Sequence, residues 1–106
     1  MRSLQVREAL REALRQELAA DQNVFVFGED VAAYGGLDGV TAGLQEEFGH
    51  NRVFDTPIAE SGMAGLAVGA ALMGLRPVVE MQFTGLITVA LDQIANSAAK
   101  ARYVHH

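Results

Sequence analysis

Val24-Phe25-Val26-Phe27-Gly28-Glu29-Asp30 is the stretch that decides the fold, because its first four residues form an unbroken β-branched and aromatic run. Continuous apolarity, in place of alternation, is typical of a strand covered on both faces, as in a parallel sheet. Glu29 and Asp30 follow at the carboxyl end of this strand, where open α/β sheets bind their ligands. The alternative is that both carboxylates face solvent and cap the next element.

Helices and strands alternate on either side of this strand. Apolar side chains recur every four positions over residues 5–20, which predicts an amphipathic helix. Further elements are predicted at 40–48 (helix), 53–54 (strand), 60–74 (helix), 76–81 (strand) and 87–102 (helix). This order predicts an α/β fold: a partial three-layer parallel sheet with helices on both faces and right-handed crossovers. Three short strands are few for such a sheet.

The stretch from Gly62 to Leu75 has 14 residues without one polar side chain. A membrane span needs roughly 20 apolar residues, so a buried core helix is expected. Gly62, Gly65 and Gly69 recur in it although glycine weakens a helix. Their spacing indicates close approach by a neighbouring element or a ligand.

Composition excludes several functional classes. A chain of 106 residues is one domain at most, and its formal charge of −5 disfavours binding to nucleic acid or an anionic membrane. The absence of cysteine excludes a disulfide scaffold, a thiolate zinc site and a cysteine nucleophile. Met1-Arg2-Ser3 leads into a charged stretch and not an apolar leader, which predicts a cytoplasmic protein.

The glycine-rich loop over residues 31–39 lacks both the dinucleotide fingerprint and the P-loop spacing, which disfavours a nucleotide binder. His50, His105 and His106 have no metal-ligand spacing, so no metal site is predicted and the two terminal histidines are given no role.

Glu60 is the strongest catalytic candidate, a lone carboxylate at the start of the apolar helix, preceded by the turn Asp55-Thr56-Pro57. A carboxylate at a helix N-terminus ordinarily stabilises the helix dipole. A functional role requires partial burial among Ile58, Met63 and neighbouring aliphatic residues. Burial favours the protonated form, which lets the carboxyl group share a proton with a ligand nitrogen.

Several motifs together carry a family resemblance. They are Phe27-Gly28-Glu29-Asp30-Val31, Tyr34-Gly35-Gly36, residues 52–62 with Asp55-Thr56-Pro57-Ile58-Ala59-Glu60, residues 74–83 with Gly74-Leu75-Arg76-Pro77, Asp92-Gln93-Ile94 and Ala99-Lys100. The chain resembles the N-terminal part of the β subunit of thiamine-diphosphate-dependent 2-oxo acid dehydrogenases, the E1 components of the pyruvate and branched-chain complexes. The resemblance covers essentially all of the chain, and acetoin dehydrogenase β subunits share much of it.

The resemblance implies that residues 1–106 are the N-terminal portion of a transketolase-like pyrimidine-binding domain, without the rest of that domain or the C-terminal domain. It also implies an α₂β₂ assembly in which the α subunit binds the diphosphate and Mg²⁺, and a lipoyl acyltransferase (E2) core reached through missing regions. Because the N-terminus shows no targeting segment, a bacterial-like, cytoplasmic location is expected. The isolated chain is expected to be inactive.

The same resemblance implies the site residues. Glu60 would hydrogen-bond N1′ of the aminopyrimidine, which favours the imino tautomer that activates the thiazolium ring. The backbone near Ile58 would contact the pyrimidine amino group, and Gln82 would line the same pocket. Leu86 stands where the family often has a stacked aromatic ring. Glu29 and Asp92 match acidic positions that line a solvated channel between paired active sites.

The predicted function is therefore that of an E1 β-subunit fragment, in an enzyme that oxidatively decarboxylates pyruvate and transfers the acyl group to lipoamide. Two alternatives stay open. The subunit could belong to a branched-chain 2-oxo acid or acetoin dehydrogenase, or the chain could be a truncated, non-catalytic assembly module.

Overall fold

The computed structural model describes residues 1–104, so His105 and His106 lie outside the described part. The helices are α1 (Val6–Ala20), α2 (Leu44–Phe48), α3 (Glu60–Leu72) and α4 (Ala101–Val104), with a 3₁₀ turn at Thr84–Thr88 and a π-helical segment at Gln93–Ala98. The strands are β1 (Val24–Gly28), β2 (Val53–Asp55) and β3 (Arg76–Glu80).

The three strands form one parallel sheet in the order β2-β1-β3. In this register Val26 lies beside Val53 on one side and Val78 on the other, and Gly28 lies between Asp55 and Glu80. The predicted α/β fold with a parallel sheet is therefore confirmed. Since β1 is central, the residues that follow it lie between the segment after β2 and the segment after β3.

Successive side chains of β1 point to opposite faces of the sheet, and each face carries an apolar layer. Val24 and Val26 are buried with Val53 of β2, and they share one hydrophobic core with Leu18 of α1 and Leu44 of α2. On the other face, the rings of Phe25, Phe27 and Phe54 stack with centroids 5.4–5.9 Å apart. Met63 and Leu66 of α3 line a cavity with Phe27, so α3 lies on this aromatic side.

The predicted burial of the apolar helix is wrong for most of α3. Its buried residues are Glu60, Met63 and Ala64, while Leu66 and Leu72 are 50% and 61% exposed. The accessible area of 7069 Å² exceeds the roughly 5,700 Å² expected for a self-contained domain of this mass. Exposed large apolar side chains, Leu66 and Leu72 of α3 among them, contribute to this area. No helix within residues 1–104 is both long and apolar enough to span a membrane.

The single helix predicted over 87–102 is also wrong, because three helical types replace it. Residues 84–88 form a 3₁₀ turn, and the amide of Ala99 donates to the carbonyl of Ile94, five residues back, at 2.9 Å. The π-helical segment contacts α3, and a Cβ added at Gly65 would lie 3.4 Å from Oε1 of Gln93. A wide helical turn at this contact is typical of a local insertion that adjusts packing.

Candidate functional site

The carboxyl ends of all three strands meet at one edge of the sheet, and the predicted site lies there. Gly28 ends β1 between its neighbours, where a Cβ would come within 2.7 Å of the carbonyl oxygen of Glu80. Only glycine permits this approach. The amide of Thr56 donates to the carbonyl of Gly28 at 2.9 Å, which fixes the chain leaving β2 against the end of β1.

Glu29 and Glu60 are both buried, with 7% and 8% of their surface exposed. Glu29 is the first residue after β1, and Glu60 is the first residue of α3. The next residue, Asp30, adopts a left-handed conformation with φ of 56°. Its carbonyl accepts the amide of Gly36 at 2.7 Å, which turns the chain sharply after Glu29.

The two buried carboxyl groups interact directly. Burial raises the pKa of Glu29, and the negative charge of Glu60, a hydrogen bond with Glu60 and the charge of Asp30 raise it further. The raised pKa favours the protonated form of Glu29, which can donate a hydrogen bond toward Glu60. Two buried carboxyl groups are thus brought together where β1 ends and α3 begins.

The loop after Glu29 is anchored by two hydrogen bonds from other segments. Oδ1 of Asp55 accepts the amide of Ala32 at 2.9 Å, and the hydroxyl of Thr41 donates to the carbonyl of Val31 at 2.7 Å. Both Val31 and Ala32 are buried. These contacts fix the backbone two and three residues after Glu29.

A cavity of about 170 Å³ lies beside the first turn of α3. Its lining is Phe27, Thr56, Pro57, Ala59, Gly62, Met63 and Leu66. The lining is apolar except for Thr56, whose hydroxyl oxygen is buried and finds no hydrogen-bond partner among the described residues. The cavity surface itself is apolar, and the Thr56 hydroxyl oxygen is buried beneath it.

The structure does not bring the other predicted site residues into described contact with Glu29 and Glu60. The Ile58 side chain is 81% exposed, so Met63, at 3%, contributes to the apolar surroundings and Ile58 contributes little. Gln82 and Leu86 are half-buried and follow β3 beyond its carboxyl end. Asp92 is exposed and accepts a hydrogen bond from Nδ2 of Asn96 at 2.9 Å, within its own helical segment. The structure brings Glu29 and Glu60 together, and it describes no contact of Asp92 with either.

Two polar groups at the carboxyl edge of the sheet, Thr56 and Glu80, were not identified from the sequence. Thr56 lies inside the Asp55-Thr56-Pro57 motif, but nothing in the pattern distinguishes a buried hydroxyl from a turn residue. Glu80 ends β3, and its buried Oε2 has no hydrogen-bond partner among residues 1–104. Its pKa is raised mainly by burial and further by the negative charge of Asp38. Within the same residues no group of three or more His, Asp or Glu side chains could hold a metal ion.

Comparison with known proteins identifies the family of this chain. Residues 2–105 match the family described as the transketolase pyrimidine-binding domain. The match covers nearly the whole chain, and the chain belongs to this family.

Individual curated proteins are also similar in sequence to this chain. The chain is 52% identical over 96 residues to the "Pyruvate dehydrogenase E1 component subunit beta" of Staphylococcus epidermidis, covering 91% of the chain and 30% of the relative. It is 57% identical over 99 residues to the protein of the same name from Rickettsia bellii, covering 93% and 30%. The corresponding protein of Rhizobium meliloti is 54% identical over 104 residues, covering 98% and 23%. The chain therefore spans less than a third of the length of these relatives.

Proposed function

We propose that this chain supplies the pyrimidine-binding half of a thiamine diphosphate site in the E1 β subunit of a 2-oxo acid dehydrogenase complex, acting on pyruvate. The family is named for pyrimidine binding, and the relatives are named as pyruvate dehydrogenase E1 β subunits. The complete activity would be the oxidative decarboxylation of pyruvate with acyl transfer to lipoamide. Residues 1–106 would form the N-terminal portion of the pyrimidine-binding domain.

The buried pair of Glu29 and Glu60 is the observation that carries this proposal. Bound thiamine diphosphate would supply the electron sink for decarboxylation. The task of this chain is to hold a proton at N1′ of the pyrimidine. Glu60 would make that hydrogen bond, and Glu29, whose pKa is raised, would keep a proton available to it.

The residues at this edge fit an aminopyrimidine. A flat heterocycle with polar ring atoms needs apolar walls and a few polar groups. The cavity beside α3 supplies such walls, and the carboxyl group of Glu60, the first residue of α3, would supply a polar atom next to them. The backbone near Ile58, the side chain of Gln82 and Leu86 would complete the pocket.

The remaining parts of the site are proposed to lie on a partner. The α subunit would bind the diphosphate and Mg²⁺ in an α₂β₂ assembly, and Asp92 with Glu29 would line a channel toward the second active site. The lipoyl acyltransferase would bind elsewhere on the complete subunit, which would act in the cytoplasm. The exposed apolar side of α3 supports contact with further polypeptide.

Replacing Glu60 with glutamine in the complete subunit, assembled with its α partner, tests this proposal. The variant keeps the size of the side chain but cannot carry the shared proton, so turnover should fall about 10²–10⁴-fold, the usual contribution of a proton-transfer group. Glu46→Gln is the matched control, because Glu46 is exposed on α2. Turnover of Glu60→Gln close to that of the control would overturn the proposal.

The isolated chain provides a second test. Because the diphosphate-binding half belongs to the partner, thiamine diphosphate with Mg²⁺ should shift the thermal midpoint of this chain little. Clear saturable stabilisation would contradict the division of the site between two subunits. Normal turnover of an assembly that lacks this segment would favour the alternative of a non-catalytic assembly module.

A further inference from the structure

Two consecutive residues, Asp55 and Thr56, hold the short segment that carries Glu29. The backbone amide of Thr56 donates to the carbonyl of Gly28, the residue before Glu29, at 2.9 Å. Oδ1 of Asp55 accepts the backbone amide of Ala32, three residues after Glu29, at 2.9 Å. The segment is therefore tied on both sides of Glu29 to the end of β2. The first tie belongs to the backbone, and the second depends on one side chain.

The turn between the two ties needs an external acceptor. Asp30 has a left-handed backbone with φ of 56°, a conformation that residues other than glycine rarely adopt. Ala32 is buried, and Asp55 supplies the acceptor for its amide. A buried amide that loses its acceptor is destabilising, so the turn would rearrange if this carboxylate were removed. The side chain of Asp55 thus selects the path of the chain after β1.

The same stretch of chain that holds Glu29 leads directly to Glu60. Only residues 56–59 separate Asp55 from Glu60, and Pro57 among them has a restricted backbone. Glu29 and Glu60 are both buried and are hydrogen-bonded to each other. A shift of Ala32 relative to Asp55 would therefore change how the two carboxyl groups meet.

We propose that Asp55 is a positioning residue for the buried pair: it holds the segment after β1 so that Glu29 meets Glu60. This inference rests on the proposed function, because it takes the pair to act on the aminopyrimidine. Asp55 acts through Glu29 and makes no contact with the cofactor. Its role requires an acceptor oxygen at the position of Oδ1 and does not require a negative charge.

Removing and restoring the acceptor oxygen tests this role in the complete subunit assembled with its α partner. Asp55→Ala should lower turnover about 10- to 100-fold, the scale of loss that a misplacement of about 1 Å produces. Asp55→Asn keeps a carbonyl oxygen in the same place and should restore most of the turnover. Glu46→Ala, on the exposed side of α2, is the control. Turnover of Asp55→Ala equal to the control, or an equal loss in Asp55→Asn, would overturn the inference.

A double-mutant cycle with Glu29→Gln separates positioning from general support of the fold. Residues that act through one another have non-additive effects. Adding Asp55→Ala to Glu29→Gln should therefore lower turnover little further, whereas multiplication of the two separate losses would overturn the inference. Normal turnover of Glu29→Gln would overturn it too, because Asp55 would then have nothing to act through. Asp55→Leu, which also lacks an acceptor, replaces Asp55→Ala in the cycle if the alanine variant does not assemble.

Glu60→Gln distinguishes the failure of this inference from the failure of the proposed function. Impaired turnover of Glu60→Gln with normal turnover of Asp55→Ala would overturn the role of Asp55 alone. Normal turnover of both variants would overturn the proposed function as well.

Discussion

Replacing Arg52 with alanine should destabilise the chain by about 3 kcal/mol. Arg52 precedes β2, and its guanidinium donates to three backbone carbonyls: Nη2 to Leu18 at 2.7 Å and to Asp21 at 2.7 Å, and Nη2 and Nε to Val24 at 2.9 and 3.1 Å. One side chain thus joins the end of α1 to the starts of β1 and β2. Since β2 leads directly to Asp55 and Thr56, this contact also supports the site.

The magnitude follows from the three acceptors. A hydrogen bond contributes about 0.5–1.5 kcal/mol net, and more when the donor is charged, so three partly buried acceptors amount to about 3 kcal/mol. The guanidinium also lies 5.6 Å from the ring centroid of Phe48, a contact that contributes roughly 0.5–1 kcal/mol. Lysine cannot reproduce the planar fork of donors, so Arg52→Lys should recover only part of the loss.

Urea unfolding followed by far-UV circular dichroism measures this effect. With a denaturant slope of about 1.5 kcal/mol/M, a loss of 3 kcal/mol lowers the midpoint by about 2 M. Arg7→Ala is the control, because Arg7 is exposed on α1 and surface substitutions change stability by no more than about 0.5 kcal/mol. A loss in Arg52→Ala that matches this control would refute the assignment of Arg52 as the link between these elements.

Two further predictions concern the acidic edge and the exposed helix. Burial and the charge of Asp38 raise the pKa of Glu80 above 4.5 in the folded chain. The folded state therefore binds more protons than the unfolded state, and stability falls as the pH rises from the unfolded pKa through the folded pKa. The stability gained by Glu80→Gln over the wild type should be larger at pH 7.5 than at pH 5, and urea titrations showing equal differences at the two pH values would contradict this. Met73, which directly follows α3, is exposed, so Met73→Lys should change the stability of the chain by no more than about 0.5 kcal/mol. The same variant should weaken assembly with the α subunit in sedimentation experiments, and unchanged assembly would count against this surface as a contact.

Local patterns were sufficient to predict most of the fold. The run from Val24 to Phe27 predicted a buried parallel strand, and the structure places it at the centre of the sheet. Glu60 was predicted to open the apolar helix, and it is the first residue of α3. These predictions succeeded because strand burial and helix starts depend on residues close in sequence.

Features that depend on contacts between distant segments were not predictable in this way. The apolar periodicity of residues 87–102 fits any helical type, and the contact between Gln93 and Gly65 belongs to tertiary packing. The apolarity of α3 indicated burial, but it could not specify that Leu66 and Leu72 are exposed in the folded chain. The pairing of Glu29 with Glu60 and the unpartnered hydroxyl of Thr56 depend on how the strand ends meet.

The state of N1′ in bound thiamine diphosphate tests the central claim most directly. With the cofactor labelled with ¹⁵N at N1′ and bound to the complete subunit assembled with its partner, nuclear magnetic resonance reports whether this nitrogen accepts a proton or a strong hydrogen bond. Our account predicts an upfield shift of the N1′ signal relative to the free cofactor, lost in Glu60→Gln and retained in Glu46→Gln. An N1′ signal that is the same in the wild type and in Glu60→Gln would contradict the role of Glu60.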